Sequence, residues 1–302
     1  MEEVKNYNAV VEIASKHLGQ VGGAGYSDQY DPSLLVAVPR YLNREGYGLT
    51  GKEFVGVDAW NAYEVSAITA KGRPVAGMLK IVCPADTEFH VESKSIKLYL
   101  NSFNMTPLGE TAKDCIKLIE SVVAKDLSEL LGGNVTCTFF YNDFNPEYGF
   151  DDFMELSGAI NLDDVEFTAF HSDATQLKVG GDLPFAVTTK IHSDLLRSNC
   201  RVTNQPDWGD IFIHMEGTKT ITLESLAKYI VSHRQVSHFH EEICEMVFTH
   251  LMQAYEPEKL MVACLYTRRG GIDINPIRAT HADMIPGWFK ASDKRMKKTL
   301  RQ

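Results

Sequence analysis

The sequence predicts an α+β protein made of two tandem modules, each an antiparallel sheet with helices packed on one face. First, the order strand–strand–helix–helix–strand can be followed twice along the chain. Second, two helical stretches resemble each other, Ile-Lys-Leu-Tyr-Leu at 96–100 and Leu-Ala-Lys-Tyr-Ile at 226–230. Third, the chain has 302 residues, of which 44% are hydrophobic and 23% charged, enough for about two ordinary globular domains. We place the modules at residues 26–165 and 166–302.

The N-terminal residues 1–25 precede the first module. They predict an amphipathic helix from Val4 to Leu18 and a glycine-rich hinge from Gly19 to Gly25. The stretch from Tyr30 to Tyr47 contains two prolines and a glycine, and it predicts an ordered but irregular surface segment.

The first module begins with a hairpin signal, two runs rich in Val, Ile and aromatic residues on either side of a Lys-Gly-Arg-Pro turn. The strongest helical period follows and stops at a Gly-Gly pair. The predicted elements are strands 56–69 and 75–82, a helix from 93–95 towards 103, a helix at 110–131 and a strand at 135–141.

The second module repeats this order. The predicted elements are strands 185–202 and 209–215 with Gly217 at a turn, helices 223–234 and 238–254, and a strand at 260–267 that Gly270-Gly271 closes. Since duplicated modules pack against each other, and ligand sites form at such interfaces, one site could draw residues from both halves.

Charge and cysteine usage limit the partners and the compartment. The 30 basic and 40 acidic residues give a net charge of −10, which disfavours non-specific binding of nucleic acid but permits a local basic pocket. No apolar run is long enough to span a membrane, and the acidic N-terminus is not a secretory signal. Six cysteines without a CxxC pair predict reduced thiols in the cytoplasm.

Cys200 is the strongest candidate nucleophile. It lies among polar residues and next to Arg201, whereas the other cysteines sit mainly among apolar neighbours typical of a core. A nearby cation favours the reactive thiolate. Asp207, seven residues later between Pro206 and Trp208, is the natural acid–base partner. From these residues alone, a plain turn is the preferred interpretation of the segment around Asp207.

A histidine–glutamate cluster lies at residues 233–242. The HExxH spacing is absent and no cysteine completes a tetrahedral set, so we predict no metal site. His240 and Glu241 stand at a predicted helix start, where a carboxylate can accept two hydrogen bonds from the N–H pair of a guanine-type ring. A solvated helix face is the alternative for the neighbouring residues.

Two further segments suit an anion. Glu92-Ser93-Lys94-Ser95 begins a predicted helix, where free backbone N–H groups, the helix dipole and a lysine can bind phosphate. Arg269 and Gly270 follow a strand and offer a guanidinium beside a flexible backbone. An ordinary N-cap and a charged turn are the alternatives. Neither the Rossmann nor the P-loop motif is present, so scattered groups would hold any nucleotide.

Together these segments resemble the NADPH-dependent 7-cyano-7-deazaguanine reductases of queuosine biosynthesis, nitrile reductases, in their long two-module form. The resemblance runs from about Tyr26 to Ile277. The segments that carry it are Leu34-Leu35, Pro39 to Arg44, Glu92 to Ser95, Lys97 to Asn104, Ser198-Asn199-Cys200, Gln205 to Gly209, Phe239-His240-Glu241 and Tyr266 to Pro276. It implies a tunnelling-fold architecture and a homodimer.

The resemblance also implies a reaction and its residues. Cys200 would attack the nitrile carbon to give a thioimide, Asp207 would supply a proton, and hydrides from NADPH would complete the reduction to the amine. Glu92 and Glu241 would hold the ring, with Val91 and Ser93 also in the substrate site and His240 assisting proton delivery. The residues implied in NADPH binding are Ser93, Lys94, Arg269 and Gly270.

Three other functions remain open from the residues alone. A cysteine hydrolase of nitriles or amidines would form the same thioimide and attack it with water. A pterin-forming cyclohydrolase of the same fold would need zinc, which the missing ligand spacing disfavours. A purine- or pterin-binding module would leave Cys200 without a chemical role.

Overall fold

Two long hairpins, each followed by a pair of helices, organise the chain. The computed structural model describes residues 27–141, 150–202 and 206–291. The predicted helix at 4–18 and the hinge at 19–25 lie outside the described residues.

The first half contains the predicted order strand–strand–helix–helix–strand, together with three short elements at 37–39, 41–44 and 89–91 that were not predicted. Its elements are β1 (Ala37–Pro39), α1 (Tyr41–Arg44), β2 (Val55–Ile68), β3 (Pro74–Pro84), β4 (Phe89–Val91), α2 (Ser93–Asn101), α3 (Ala112–Leu131) and β5 (Thr136–Phe140). A two-residue strand and a single helical turn follow, β6 (Met154–Glu155) and α4 (Leu156–Ala159).

The second half repeats the hairpin, the helix pair and the returning strand, and then adds one strand more. Its elements are β7 (Val179–Ser193), β8 (Arg197–Asn199), β9 (Pro206–Ile221), α5 (Leu223–Ser232), α6 (His240–Tyr255), β10 (Lys259–Tyr266), β11 (Ile272–Ala279) and α7 (Gly287–Lys290). The strand predicted at 185–202 is broken at Asp194, since β7 ends at Ser193 and β8 begins at Arg197.

Apart from β1 and β4, which pair with each other in a separate two-stranded sheet, the strands of both halves join one sheet. Within the described residues the strand order is β5-β3-β2-β11-β10-β9-β7-β6, with β8 paired to β9 outside this path. The pairings are antiparallel except for that of β6 with β7. The halves meet where β2 pairs with β11 over eight residues, from Ile272 opposite Ala62 to Ala279 opposite Val55. We call this junction the seam.

The main helices pack on one face of the sheet. In the first half, Ile96, Ile119 and Val123 are buried against strand residues such as Leu79 and Ile81. In the second half, buried residues of α5 and α6 form a second core against β9 and β10. The α+β class and the antiparallel sheet with helices on one face are therefore confirmed, while the module boundaries at 26–165 and 166–302 stay predictions.

A buried network of charges crosses the seam. Arg278 bridges Asp58 at 2.9 Å and Glu245 at 2.8 Å, Arg40 pairs with Asp58 at 2.7 Å, and Arg44 pairs with Glu245 at 3.0 Å. All five side chains are at most 8% exposed. Removing one member would strand a buried charge, so this network holds the two halves in one arrangement.

Two local predictions are wrong. Gly217 does not lie at a turn but inside β9, where a Cβ atom would stand 3.2 Å from Pro257, so its lack of a side chain permits close packing. The segment 30–47 is not only a surface feature, because Arg40, Asn43 and Arg44 are buried and hydrogen-bonded to the core.

Among the described residues, no helix combines the length and the apolar character needed to cross a bilayer.

Candidate active site

A cavity of about 240 Å³ lies beside the seam and is lined by both halves of the chain. Trp60, Ile272 and Ile274 form an apolar part of its wall, and polar side chains form the rest. The predicted site residues that line it are Val91, Ser93, Lys94, Cys200, Asp207, His240, Glu241, Arg269 and Gly270. Residues of both halves thus line one cavity, and its role as the functional site stays a prediction.

Glu92 is the one predicted site residue outside this lining. Its side chain is 2% exposed and caps helix α2, accepting hydrogen bonds from the backbone N–H of Lys94 at 2.9 Å and of Ser95 at 2.7 Å. The expectation of free N–H groups at this helix start is therefore wrong, because a carboxylate already occupies them. The role of Glu92 in holding a ring stays a prediction.

The hairpin of β8 and β9 sets the places of Cys200 and Asp207. Asn199 pairs with Pro206, so Cys200, which follows β8, and Asp207, near the start of β9, lie at the same end of the hairpin. The backbone of Asn199 also bonds to Val236 and His238 just before helix α6. The segment that carries Cys200 is thus fixed against the segment that carries His240 and Glu241.

The cation beside the thiol is not the sequence neighbour. Arg201 is 6% exposed and donates to Glu242 at 2.6 Å and to Asn43. Lys94, from the first half, instead places its ammonium 3.5 Å from the Cys200 sulfur. The expected pairing of Cys200 with Arg201 is wrong, because the guanidinium is drawn to a buried carboxylate.

Asp207 lies between two groups that favour its charged form. His240 Nε2 is 3.4 Å and Arg269 Nε is 3.6 Å from its carboxylate oxygens. Burial raises the pKa of Asp207, but His240, Arg269 and Lys94 together hold it below its usual range. The His240 ring stacks on Tyr266 with centroids 3.7 Å apart, which fixes its orientation.

Glu241 has the opposite character. It is 4% exposed, lines the cavity and begins helix α6 with His240, as predicted. Burial and the neighbouring Asp58 raise the pKa of Glu241 well above its usual range, and Arg40 and Arg278 only partly offset them. A buried carboxyl of this kind suits a ligand that presents N–H donors, which would stabilise its ionised form.

Several residues that line the cavity were not among the predicted site residues. Lys97, one turn after Lys94 on α2, faces the same cavity, and burial and Lys94 lower its pKa to about 8. The 3.6-residue period of the helix could have indicated this shared face. His90, His238 and Phe239 also line the cavity.

Within the described ranges, no cluster of three His, Cys, Asp or Glu side chains could hold a metal ion.

Comparison with known proteins gives a consistent result. The family "Nitrile reductase, 7-cyano-7-deazaguanine-reductase N-term" matches residues 26–139, and the family "QueF-like protein" matches residues 206–284. A protein of Hahella chejuensis named NADPH-dependent 7-cyano-7-deazaguanine reductase is 42% identical over 273 residues, 88% of this chain and 93% of that protein. The chain belongs to the 7-cyano-7-deazaguanine reductase family.

A second member of the family supports the match over almost the whole length. The protein of the same name from Colwellia psychrerythraea is 36% identical over 285 residues, 93% of this chain and 97% of that protein. Among solved structures, an apo archaeosine synthase described as QueF-Like covers 32% of this chain at 18% identity with a TM-score of 0.28, too partial a likeness to bear on fold or activity.

Proposed function

We propose that this reductase-family member converts the nitrile of 7-cyano-7-deazaguanine to the primary amine of 7-aminomethyl-7-deazaguanine, with NADPH as reductant, in queuosine biosynthesis. One observation carries the proposal. In a chain 42% identical to a protein named for this activity, a thiol, an ionised carboxylate and a buried carboxyl suited to a guanine-type ring line one cavity.

Cys200 is the proposed nucleophile. Its sulfur adds to the nitrile carbon, one C–N π bond opens and a thioimide forms without any change of oxidation state. Because the lowered pKa of Asp207 leaves its carboxylate free to accept a proton, Asp207 takes the thiol proton and passes it to the nitrile nitrogen. Covalent capture splits one difficult reduction into easier steps.

Glu241 and its neighbours are the proposed ring site. The Glu241 carboxyl would accept the N–H pair of the guanine-type ring, and His240, held by Tyr266, would assist proton delivery beside Asp207. Val91 and Ser93 would line the ring site, as both face the cavity. Glu92 would support these residues indirectly, since its carboxylate caps helix α2 and does not line the cavity.

The lining also suits the anionic groups of NADPH. Lys94, Lys97 and Arg269 bring three cationic side chains to one cavity, although the protein as a whole is acidic. Gly270 has a φ of +55°, and a Cβ atom there would stand 3.0 Å from the Lys97 side chain, so a glycine keeps this approach open. NADPH would supply the hydrides, and Ser93, Lys94, Arg269 and Gly270 would hold it.

We further propose a cytoplasmic homodimer that uses neither nucleic acid nor a membrane as a partner. The first part of β7, from Val179 to Val187, is largely exposed, and Phe185 keeps 65% of its surface accessible. An exposed apolar strand is a template for pairing with another chain. Light scattering of the purified protein should give twice the monomer mass, and Phe185→Lys should lower it.

One assay separates reduction from the other candidate reactions. The protein is mixed with 7-cyano-7-deazaguanine and NADPH, and nicotinamide absorbance, ammonia and amine product are followed together. Loss of two NADPH per amine formed is the expected result, since a nitrile needs two hydrides to become an amine. Ammonia release without loss of NADPH would establish a hydrolase, and binding without turnover would establish a binding module.

A further inference from the structure

His90 is a buried histidine in the wall of the cavity. Its side chain lines the cavity, although the residue is only 5% exposed. Among the residues that the structure describes, no group lies within hydrogen-bond distance of its Nε2 atom. A buried polar atom without a partner costs free energy, so its presence calls for a reason.

The packing around His90 would suit an apolar side chain. His90 lies in β4 opposite Val38 of β1, and its ring meets the Phe239 ring edge to face with centroids 5.0 Å apart. Val38 and Phe239 belong to a small apolar cluster. A leucine at position 90 would extend that cluster without burying an unpaired nitrogen. The histidine therefore carries a cost that a contact with a ligand would explain.

The charged groups near His90 do not supply the missing partner. Burial and the charge of Arg40 lower the pKa of His90 to about 4, although Glu242 acts in the opposite direction. The Glu242 carboxylate is bonded to Arg201 at 2.6 Å and to His238 at 2.8 Å. The imidazole of His90 is therefore neutral at physiological pH, with one N–H donor and one acceptor nitrogen.

We propose that the His90 imidazole donates a hydrogen bond to the six-position carbonyl oxygen of the guanine-type ring, and so helps to select that ring. This inference rests on the proposed function, which it deepens at the same site. Glu241 also lines the cavity. The charges of Arg40 and Asp58 act on both side chains, so the two lie close to each other.

The pattern of donors and acceptors on the ring matches this pair of side chains. In a guanine-type ring the six-position carbonyl oxygen stands next to the N–H pair that Glu241 would accept. A neutral donor beside the Glu241 carboxyl would therefore face that oxygen once the ring is bound. Glu241 and His90 would together recognise one edge of the ring, the first as acceptor and the second as donor.

The backbone around His90 is already fixed in the free protein. Strand β4 pairs with β1 on three residues, and two further hydrogen bonds continue the pairing. Arg40 donates its N–H to the Glu88 carbonyl at 3.0 Å, and Glu92 donates to the Val36 carbonyl at 2.8 Å. A donor that is held in place before binding loses little conformational entropy when the ligand arrives.

Binding of two ligands tests the contact. The six-thio analogue of 7-cyano-7-deazaguanine keeps the N–H pair but replaces the carbonyl oxygen by sulfur, a weak acceptor. Calorimetry on Cys200→Ala, which cannot capture the nitrile, should show the oxygen ligand binding at least about fivefold more tightly than the sulfur ligand. With His90→Leu added, this ratio should fall below about twofold. His90→Gln, which keeps an N–H donor, should retain part of it.

Two controls assign the effect to this contact. Glu241→Gln should weaken the binding of both ligands and leave their ratio unchanged, because both carry the N–H pair. His171 is an exposed histidine outside the cavity, so His171→Leu should change neither the affinities nor the ratio.

The stability of the ligand-free protein gives a second measurement. Because His90→Leu removes an unpaired buried nitrogen, its midpoint of urea unfolding should equal or exceed that of the wild type. If the fold itself needed the imidazole, the midpoint would fall, and the argument from an unpaired nitrogen would be overturned.

The two proposals fail in different ways. An oxygen-to-sulfur ratio that His90→Leu leaves unchanged overturns the role of His90 and leaves nitrile reduction standing. A ratio that depends on His90, in a protein that consumes no NADPH, supports the contact with the ring and overturns reduction. A protein that binds neither ligand would overturn both.

Discussion

In the proposed mechanism, Asp207 is the carboxylate that takes up and returns the proton. His240 and Arg269 both approach it, and they hold its pKa below the usual range despite burial. A carboxylate that is ionised in the free protein can take the thiol proton as the sulfur attacks. It can then return the same proton to nitrogen, so no outside acid is needed for capture.

Replacing this acid–base group tests that role. Asp207→Asn keeps the shape but cannot carry the proton, so adduct formation followed by mass spectrometry should slow by at least about 100-fold. Binding of 7-cyano-7-deazaguanine, measured with Cys200→Ala as background, should change little. An Asp207→Asn variant that forms the adduct as fast as the wild type at every pH between 6 and 9 would remove Asp207 from the proposed mechanism.

Ionisation of Glu241 should lower the free energy of unfolding as the pH rises. Its folded-state pKa is raised by burial and Asp58 above the ordinary value of 4.5. Below that value both folded and unfolded states are protonated and the cost vanishes. Above it the unfolded state ionises more readily, so the free energy of unfolding falls until the pH exceeds the folded-state pKa.

Glu241→Gln should therefore stabilise the protein, by more than about 1 kcal/mol at pH 8 and by little at pH 4. Urea unfolding at a series of pH values measures the difference. The exposed Glu129→Gln is the matched control and should show no comparable dependence on pH. A Glu241→Gln gain that is equal at both pH values would mean that the carboxyl does not titrate as described.

At the level of single residues, the sequence predicted several of the polar residues that line the cavity, but it did not predict which cation lies beside the Cys200 thiol. Cys200, Asp207, His240 and Glu241 stand out locally by their polar context, and the fold brings them to one cavity. The counter-ion of the thiol could not be found this way. The adjacent Arg201 is captured by the buried Glu242, and Lys94 arrives from the other half of the chain.

Among the elements, helix α3 was the most predictable, and its start explains why. Thr111 accepts the backbone N–H of Asp114 at 3.2 Å, and the Asp114 carboxylate accepts the N–H of Thr111 at 3.1 Å. This reciprocal cap and the closing Gly132, with a φ of +72°, frame a regular apolar stripe.

Loss of the cap should have a defined cost. Thr111→Ala should lower the free energy of unfolding by about 1 kcal/mol, since the N–H of Asp114 loses its acceptor. Chemical denaturation checks the value. Ser121→Ala, at an exposed position inside the same helix, removes only a bond to the Leu118 carbonyl and should be neutral or slightly stabilising. Equal losses in both variants would show that the cap is not the cause.

Strand β11 was not predicted from the sequence, and its residues show why. Ile-Asp-Ile-Asn-Pro-Ile-Arg-Ala places polar residues or proline where a buried strand would carry apolar ones, yet all eight residues are buried. Asp273 receives hydrogen bonds from Asn61 and Tyr63, and Arg278 is paired with Asp58 and Glu245. The polarity is satisfied by partners that only the complete sheet supplies.

At the scale of the molecule, the seam joins the two repeated halves of the chain. Strands β2 and β11 pair over eight residues, and the charge network around Arg278 spans both halves. The tandem order could be predicted because hairpins and helices are local. The joining of both sheets through β11 could not, because it depends on residues more than 200 positions apart.

The seam network gives a prediction about stability. Arg278→Met should lower the free energy of unfolding by about 3–5 kcal/mol, because it leaves Asp58 and Glu245 buried with fewer cationic partners. Lys125→Met breaks an exposed pair with Glu129, 4.0 Å apart, and should change stability by less than about 1 kcal/mol. Similar small effects in both variants would show that the network does not hold the halves together.

The most direct test of the proposed mechanism measures the mass of the protein by mass spectrometry after incubation with its substrate. Wild-type protein incubated with 7-cyano-7-deazaguanine in the absence of NADPH should gain the mass of one substrate molecule, and peptide mapping should place it on Cys200. Cys200→Ala should bind the same ligand without gaining mass. A wild-type protein that turns the nitrile into the amine while its thiol never carries that mass would contradict the account.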